Sequence, residues 1–339
     1  MRLEEIGEFG FIRRVSRGCL VRPEGVERAI GDDAAAFAVP AGWLTLVTTD
    51  LLVERVHFLR EATAPFNLGH KAMAVNLSDI AAMGGRPLEA FVSVAIPADC
   101  PLEYLDGLYD GMKSLAARYG VNILGGDTTS SRTDLVINVT VIGQVRREEV
   151  LYRSGAAPGE VVCVTGNVGE SRAGLHFVLA KEQPEGAAMR GLLDAHLLPR
   201  PHLEEGRFLA ESGAATAALD VSDGLSSDLA HLVEESGVGI RVSADRIPIS
   251  EPLRDFCAQL GRDPVRFALS GGEDYVLAVC LRAERAEAVR RAFAARFGRP
   301  LTRIGEVTDA GGLTLAWPDG RVEAIPPTGW DHFGGQAAP

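Results

Sequence analysis

A two-domain α/β (α+β) protein is what the sequence predicts, and three features carry that expectation. A chain of 339 residues is long enough for a sizeable core and divides most naturally into two domains. β-Rich alternating runs are interleaved with long helical patterns in the first half, as a mixed sheet-and-helix architecture requires. The pattern then restarts near residues 143–154, which divides the chain into 1–148 and 149–339.

Residues 3–15 read as a short amphipathic helix. A turn bearing Pro23 and Gly25 leads to Gly31-Asp32-Asp33-Ala34 and then to a strand in which Leu44, Leu46 and Thr48 alternate with Thr45, Val47 and Thr49. That strand is expected to end at Thr48-Thr49-Asp50. A helix follows Pro65 and stops at Gly84-Gly85 before Pro87. Met73, Leu77 and Ile80 share one side of it, and Asn76 and Asp79 share another. A strand at 91–96, a helix at 102–119, a strand at 121–124 ending in Gly125-Gly126-Asp127, and a strand at 135–145 complete this half. The second half reads as a strand at 161–165 and a helix to about 181. A loop at 182–186, helices near 187–196 and 202–212, and a strand into Asp220-Val221-Ser222-Asp223-Gly224 follow. A helix to 235, strands near 239–243 and 274–281, a helix at 283–297 and strands near 301–307 and 312–317 close it. The tail from Gly334 is expected to fray.

A formal charge of −12 argues against a general nucleic-acid binder and supplies no basic patch for anionic membranes. Positive charge is almost all arginine, the lysines being Lys71, Lys113 and Lys181 alone. Five scattered cysteines without a C-x-x-C pair read as reduced core residues. The opening Met-Arg-Leu-Glu-Glu is no signal peptide, and no apolar run reaches spanning length, so a cytoplasmic protein is expected.

Acidic positions recur beside glycine or hydroxyl residues: Asp32/Asp33, Asp50, Asp79, Asp127 and Asp220/Asp223. Taken singly, each has a plain explanation. Asp33 and Asp127 suit turns, Asp79 a solvated helix face, Asp223 a helix N-cap. Those explanations do not account for glycine flanking most of the acids, or for Asn76 and Asp79 in an otherwise apolar helix. A carboxylate cage for several Mg²⁺ ions does, because clustered carboxylates repel without countercharge and hard oxygens suit that ion. Bound cations would attract phosphate oxygens, and glycines would let backbone N–H groups approach them. This points to nucleoside-triphosphate chemistry without a G-x-x-x-x-G-K-[ST] loop, which is absent. H-E-x-x-H, G-x-S-x-G and a strand-following G-x-G-x-x-G are absent too, which weighs against a zinc hydrolase, a serine hydrolase and a dinucleotide fold.

Gly7-Glu8-Phe9, Gly31-Asp32-Asp33-Ala34, Thr48-Thr49-Asp50, His57-Phe58, Asn76 through Gly84, Gly125-Gly126-Asp127-Thr128, Asp220 through Leu225, and Ser270-Gly271-Gly272-Glu273-Asp274-Tyr275 occur in this order. The ordered set resembles the thiamine-monophosphate kinase family, within the aminoimidazole ribonucleotide synthetase-like superfamily. The likeness runs from Gly7 to Phe333. His57-Phe58 and the Gly-Gly-Glu-Asp-Tyr run favour the thiamine member. The resemblance implies a fold whose N-terminal ATP- and metal-binding domain meets its counterpart in a homodimer to close a β-barrel, followed by a C-terminal α/β domain.

It also implies ATP-dependent phosphorylation of thiamine phosphate to thiamine diphosphate, the final step of that cofactor's biosynthesis, with several Mg²⁺ ions. By motif, Asp33, Thr48, Thr49, Asp50, Asp79, Asp127, Asp220 and Asp223 would hold metal. Tyr109, Gly126, Asp127, Arg153 and Ser222 would lie at ATP, with Tyr109 and Arg153 matched by position only. His57, Glu273 and Trp330 would face thiamine phosphate. No catalytic side chain is assigned beyond metal-mediated transfer, because the acceptor phosphate is itself the nucleophile. Two other readings stay open: a purine-pathway cyclo-ligase with the same ATP site, and a non-catalytic ATP- or metal-binding dimer module.

Overall fold

The computed structural model describes residues 14–28, 36–37 and 40–329. The Gly7 and Gly31–Ala34 motifs, most of the expected first helix, Trp330 and the tail lie outside these residues. The chain divides into two compact units, Met1–Ile80 with Gly85–Glu148, and Ala81–Gly84 with Glu149–Pro339.

The first unit begins with a small ladder, β1 (Val26–Arg28) with β2 (Ala36–Phe37). Its main sheet has the order β3-β6-β4-β5, from β3 (Trp43–Val53), β4 (Arg86–Pro97), β5 (Asn122–Ser131) and β6 (Val136–Arg146). β6 pairs antiparallel with both β3 and β4, while β5 runs parallel to β4. A parallel pair needs a crossover, and α2 (Leu102–Tyr119) provides it. Gly120, left-handed at φ 68°, ends α2.

α1 (Pro65–Ala82) covers the same sheet. The sequence predicts one apolar side for it, yet nearly every residue from Leu68 to Ala82 is buried, Asn76 completely. Burying Leu68, Met73, Leu77 and Ile80 contributes roughly 1.5–3 kcal/mol each. α1 and α2 approach closely because two glycines lie between them. A Cβ on Gly69 would fall 1.8 Å from the Leu108 carbonyl oxygen, and one on Gly111 2.0 Å from that of Phe66. Among the described residues no barrel closes: the four strands form an open sheet whose outer side carries Val47 and Leu51, 65% and 53% exposed.

The second unit is a seven-stranded sheet, β13-β12-β9-β11-β7-β10-β8. Its strands are β7 (Val161–Val164), β8 (Ala215–Asp220), β9 (Gly239–Ser243), β10 (Leu277–Leu281), β11 (Thr302–Thr308), β12 (Gly312–Ala316) and β13 (Val322–Ala324). Helices α3 (Glu170–Ala180), α4 (Gly186–Leu197), α5 (Leu203–Glu211), α6 (Leu225–Ser236), α7 (Glu251–Gln259), α8 (Pro264–Leu269) and α9 (Ala283–Phe297) cover it. One core joins Val162, Val164, Leu219 and Ile304 of the sheet to Leu229, Leu253 and Phe256 of the helices. Elsewhere Phe208 meets Phe293 and Phe297 edge to face at 5.9 and 5.7 Å between ring centroids, and Phe293 and Phe297 are tilted at 4.6 Å. Buried Glu205 is held by Arg200 and Arg299, each at 2.6 Å, and all five cysteines are buried.

Candidate functional site

In the first unit the site begins with strand alternation. Period two turns Leu46, Thr48, Asp50 and Leu52 inward and Thr45, Val47, Thr49 and Leu51 outward. The Thr48 hydroxyl donates to Asp79 Oδ2, joining β3 to α1. Burial pushes the Asp50 carboxyl up to about 7, and the neighbouring Asp79 charge adds to the shift. Two buried oxygens, Asp50 Oδ2 and Asn76 Oδ1, have no hydrogen-bond partner. Asn76 uses its amide nitrogen on the Ala72 carbonyl, at 3.2 Å, one turn before Asp79. Unsatisfied buried acceptors and a carboxyl raised by burial are what a cation would relieve. All the donors here are hard oxygens, which fits Mg²⁺.

Other expected ligands are placed differently. Thr49 faces the opposite side of the sheet, where its hydroxyl meets Thr140 at 3.0 Å and accepts from Asn138 at 2.9 Å. Asp50 and Asp127, expected at strand ends, sit inside β3 and β5 because pairing with β6 and β4 continues past them. Asp50 is in register with Val139, Val139 with Val92, and Val92 with Gly126. Three strand spacings therefore separate Asp50 from the Gly126-Asp127 step, on the order of 14 Å in a flat sheet. Among the described residues no three His, Cys, Asp or Glu side chains are grouped so as to hold one ion. The acids are thus less crowded within this unit than their recurrence in the sequence suggests. Asp33 lies outside the described residues.

Asp127 is exposed and caps its own neighbour, accepting from the Thr128 N–H at 2.9 Å. Gly126 before it has φ 147°, and a Cβ there would sit 1.7 Å from the Val92 carbonyl oxygen, so the position admits glycine alone. His57 stands on the turn after β3. Its Nδ1 accepts from the Val53 N–H at 2.9 Å, so the neutral ring carries its proton on Nε2. Tyr109 is 5% exposed inside α2, and burial pushes its phenol up strongly.

In the second unit two loops at the ends of β8 and β10 are laced together. The Glu273 N–H donates to the Ser222 carbonyl at 2.7 Å and the Tyr275 N–H to that of Val221 at 2.8 Å. Gly272 leaves room for this, since a Cβ there would lie 2.7 Å from Ser222 O. Glu273 and Tyr275 are both left-handed, at φ 64° and 52°, a costly conformation for non-glycine residues. The Glu273 carboxylate reaches buried His196, Oε2 to Nδ1 at 3.3 Å, and the Ser171 hydroxyl lies 3.0 Å from the same nitrogen. Asp274 ties the loop to α3 by accepting from the Gly169 and Ser171 N–H groups at 2.6 and 3.2 Å. Arg172 adds bonds to Ser270 Oγ and Phe267 O, at 2.6 and 3.2 Å.

Asp220 ends β8, 4% exposed, and Ser222 and Asp223 follow half-buried. Sequence reasoning missed Asp228. It accepts from the Asp223 and Gly224 N–H groups at 3.2 and 3.0 Å, and is pushed up to about 8 by burial and then by Asp220 and Asp223. Three carboxylates therefore gather around this loop. The signal available was an acid in the first turn of α6, four residues after Gly224. Gly329 packs against the same loop, its N–H on Ser227 Oγ at 2.8 Å; Trp330 itself lies outside the described residues. Arg153 is exposed and contributes a carbonyl to Ser236 Oγ at 3.2 Å.

Two family models match the chain: AIR synthase related protein, N-terminal domain, over residues 31–145, and its C-terminal domain over residues 157–318. A thiamine-monophosphate kinase of Aquifex aeolicus is 34% identical over 98% of this chain and 100% of its own length. The crystal structure of thiamine-monophosphate kinase from Stenotrophomonas maltophilia is 36% identical and superposes with a TM-score of 0.81, over 91% of this chain and 96% of that one. AaThiL complexed with AMPPCP and TMP is 33% identical with a TM-score of 0.78, over 98% of this chain and 99% of that one.

Proposed function

Because this chain belongs to the thiamine-monophosphate kinase family of AIR synthase related proteins, we propose that it phosphorylates thiamine phosphate to thiamine diphosphate at the expense of ATP. The observation that carries this reading is the AaThiL complex, which holds an ATP analogue and TMP on a chain alike over 98% of this one.

The acceptor phosphate oxygen attacks the γ-phosphorus of ATP, a P–O bond forms, and the bond to the β,γ-bridging oxygen breaks to leave ADP. Bound Mg²⁺ ions would neutralise the two anions that must meet. We assign Asp33, Thr48, Thr49, Asp50, Asp79, Asp127, Asp220 and Asp223 to holding them. The orphaned oxygens of Asp50 and Asn76 support the first-unit part of that set. Thr49 could contribute only its backbone, since its side chain faces away. Gly126 lets the main chain come close to phosphate, and Tyr109, Asp127, Arg153 and Ser222 complete the proposed ATP set, Tyr109 as packing from within α2. His57 offers thiamine phosphate an Nε2–H donor, Glu273 a negative charge and Trp330 a ring.

We take 1–148 as the ATP- and metal-binding, dimerising domain and 149–339 as the second domain of a cytoplasmic homodimer. The exposed Val47 and Leu51 on β3, an edge strand of an open sheet, support barrel closure by a second copy. ADP release measured with thiamine phosphate, against formylglycinamidine ribonucleotide, tests the proposal. Turnover on the second substrate alone, or nucleotide binding with turnover on neither, overturns it.

A further inference from the structure

One cavity of the second unit is lined largely by arginine. It measures about 610 Å³, and Arg246, Arg254, Arg290 and Arg303 line it from four separate elements: the turn after β9, α7, α9 and β11. A smaller neighbour of about 160 Å³ shares Arg246 and Arg303 and adds Arg241. Against five guanidinium groups the two linings hold two carboxylates, Asp245 and Glu306. Glu306 is divided between Arg241 at 3.4 Å and Arg303 at 3.5 Å. Such a concentration is unexpected in a chain of net charge −12.

The guanidinium groups are only partly satisfied. Arg303 Nε is buried with no hydrogen-bond partner. Among the described residues the guanidinium groups of Arg246 and Arg254 show no ion pair or hydrogen bond, the Arg254 backbone N–H alone donating to the Ser250 carbonyl at 3.0 Å. Arg290 is oriented by its Nε bond to the Leu301 carbonyl at 2.9 Å and by Glu287 at 3.0 Å. Guanidinium forks converging on a concave surface match phosphate oxygens, which can accept several charge-assisted bonds at once. Strand register sets the distance from the chemistry within this unit. Thr302 pairs with Val164, Val164 with Ala278, and Ala278 with Leu219 next to Asp220. The cavity's β11 wall thus stands three strands, on the order of 14 Å, from the carboxylates at the end of β8.

We propose that this cavity is a second anion site, which takes a small molecule carrying a di- or triphosphate chain and binds it without metal. The volume accommodates an organic group beyond the phosphates, within the usual range for ligand pockets. The site reads the polyphosphate by arginine alone, whereas the transfer reaction proposed above draws on carboxylates and cations.

That difference sets the test. Tripolyphosphate is titrated calorimetrically into the full-length protein in excess EDTA, where metal-dependent binding is silent. The wild type is expected to bind one equivalent per chain. Arg246→Gln/Arg254→Gln alters two unpartnered, exposed side chains and should leave the thermal melt unchanged while weakening binding at least tenfold. Asp50→Asn should bind as the wild type does. Competition by ATP or by thiamine diphosphate in the same buffer tells which organic polyphosphate the site prefers. Absence of saturable binding at millimolar tripolyphosphate, or equal affinity in the double variant, overturns the proposal without touching the kinase reading.

Discussion

Asp50→Asn should cost activity and yet make the metal-free protein more stable. The wild-type carboxyl is raised from 3.8 to about 7 in the fold, by burial first and then by Asp79. An acid whose folded value exceeds its unfolded one is neutral in both states at low pH. As pH rises above 3.8 the unfolded chain releases the proton while the folded one keeps it, so stability falls until the folded group ionises near 7. Just over three units at about 1.4 kcal/mol each sets a ceiling of about 4 kcal/mol. Asparagine removes the charge but keeps a buried polar group, which retains roughly half of that penalty. The net gain at pH 8 should be about 2 kcal/mol, or roughly 3 °C in melting temperature for a chain of 339 residues unfolding as one. Melting in EDTA at pH 8 and at pH 5 measures it, and the gap should narrow at the lower pH. Kinase turnover at limiting Mg²⁺ should fall by on the order of a hundredfold. A variant that melts at or below the wild type at pH 8, or a gap that ignores pH, refutes the reasoning.

Gly126→Ala places a methyl group 1.7 Å from the Val92 carbonyl oxygen; a loss above roughly 3 kcal/mol in urea unfolding is expected, as for other substitutions that force the backbone apart. Incubation with γ-labelled ATP and no acceptor should leave the protein unlabelled, since direct transfer needs no phosphorylated side chain; label that chases into thiamine diphosphate would contradict this. Val47→Asp with Leu51→Asp, on the outer side of β3, should abolish in light scattering the homodimer proposed above. Trp330→Ala should weaken thiamine phosphate binding by about 1–2 kcal/mol, a cation–π-sized loss, with the KM for ATP almost unmoved.

Long, strongly patterned elements were legible. The helix expected at 102–119 and that at 283–297 match α2 and α9, each ended by a left-handed glycine, Gly120 and Gly298. The short helices α7 and α8 offer too few turns for periodicity to show. Their signals were local: Ser250 and Asp263 accept from the N–H groups of Leu253 and Arg266, at 3.4 and 2.9 Å, each with a proline close behind. Runs such as Thr-Thr-Asp and Gly-Gly-Asp read as turns, but cross-strand pairing overrode that preference and carried β3 to Val53 and β5 to Ser131. For the same reason the two Gly-Gly-acid runs differ in structure: 125–127 is strand and 271–273 is loop. Oxygen-rich positions on α1 were recognisable as unusual. Asp228 was not, because one acid in a helix's first turn looks like ordinary surface.

The glycine contacts between α1 and α2 have a thermodynamic corollary. Two backbones in near contact leave α1 no slack, and amide protons at its centre should exchange with solvent only when the whole unit opens. Asn76 and Asp79 ride on that helix, so a cation drawn to their oxygens meets partners already held in place. Little chain has to order on binding. Calorimetry of Mg²⁺ with the protein should then register a small heat-capacity change, unlike the large negative one that accompanies folding around a ligand.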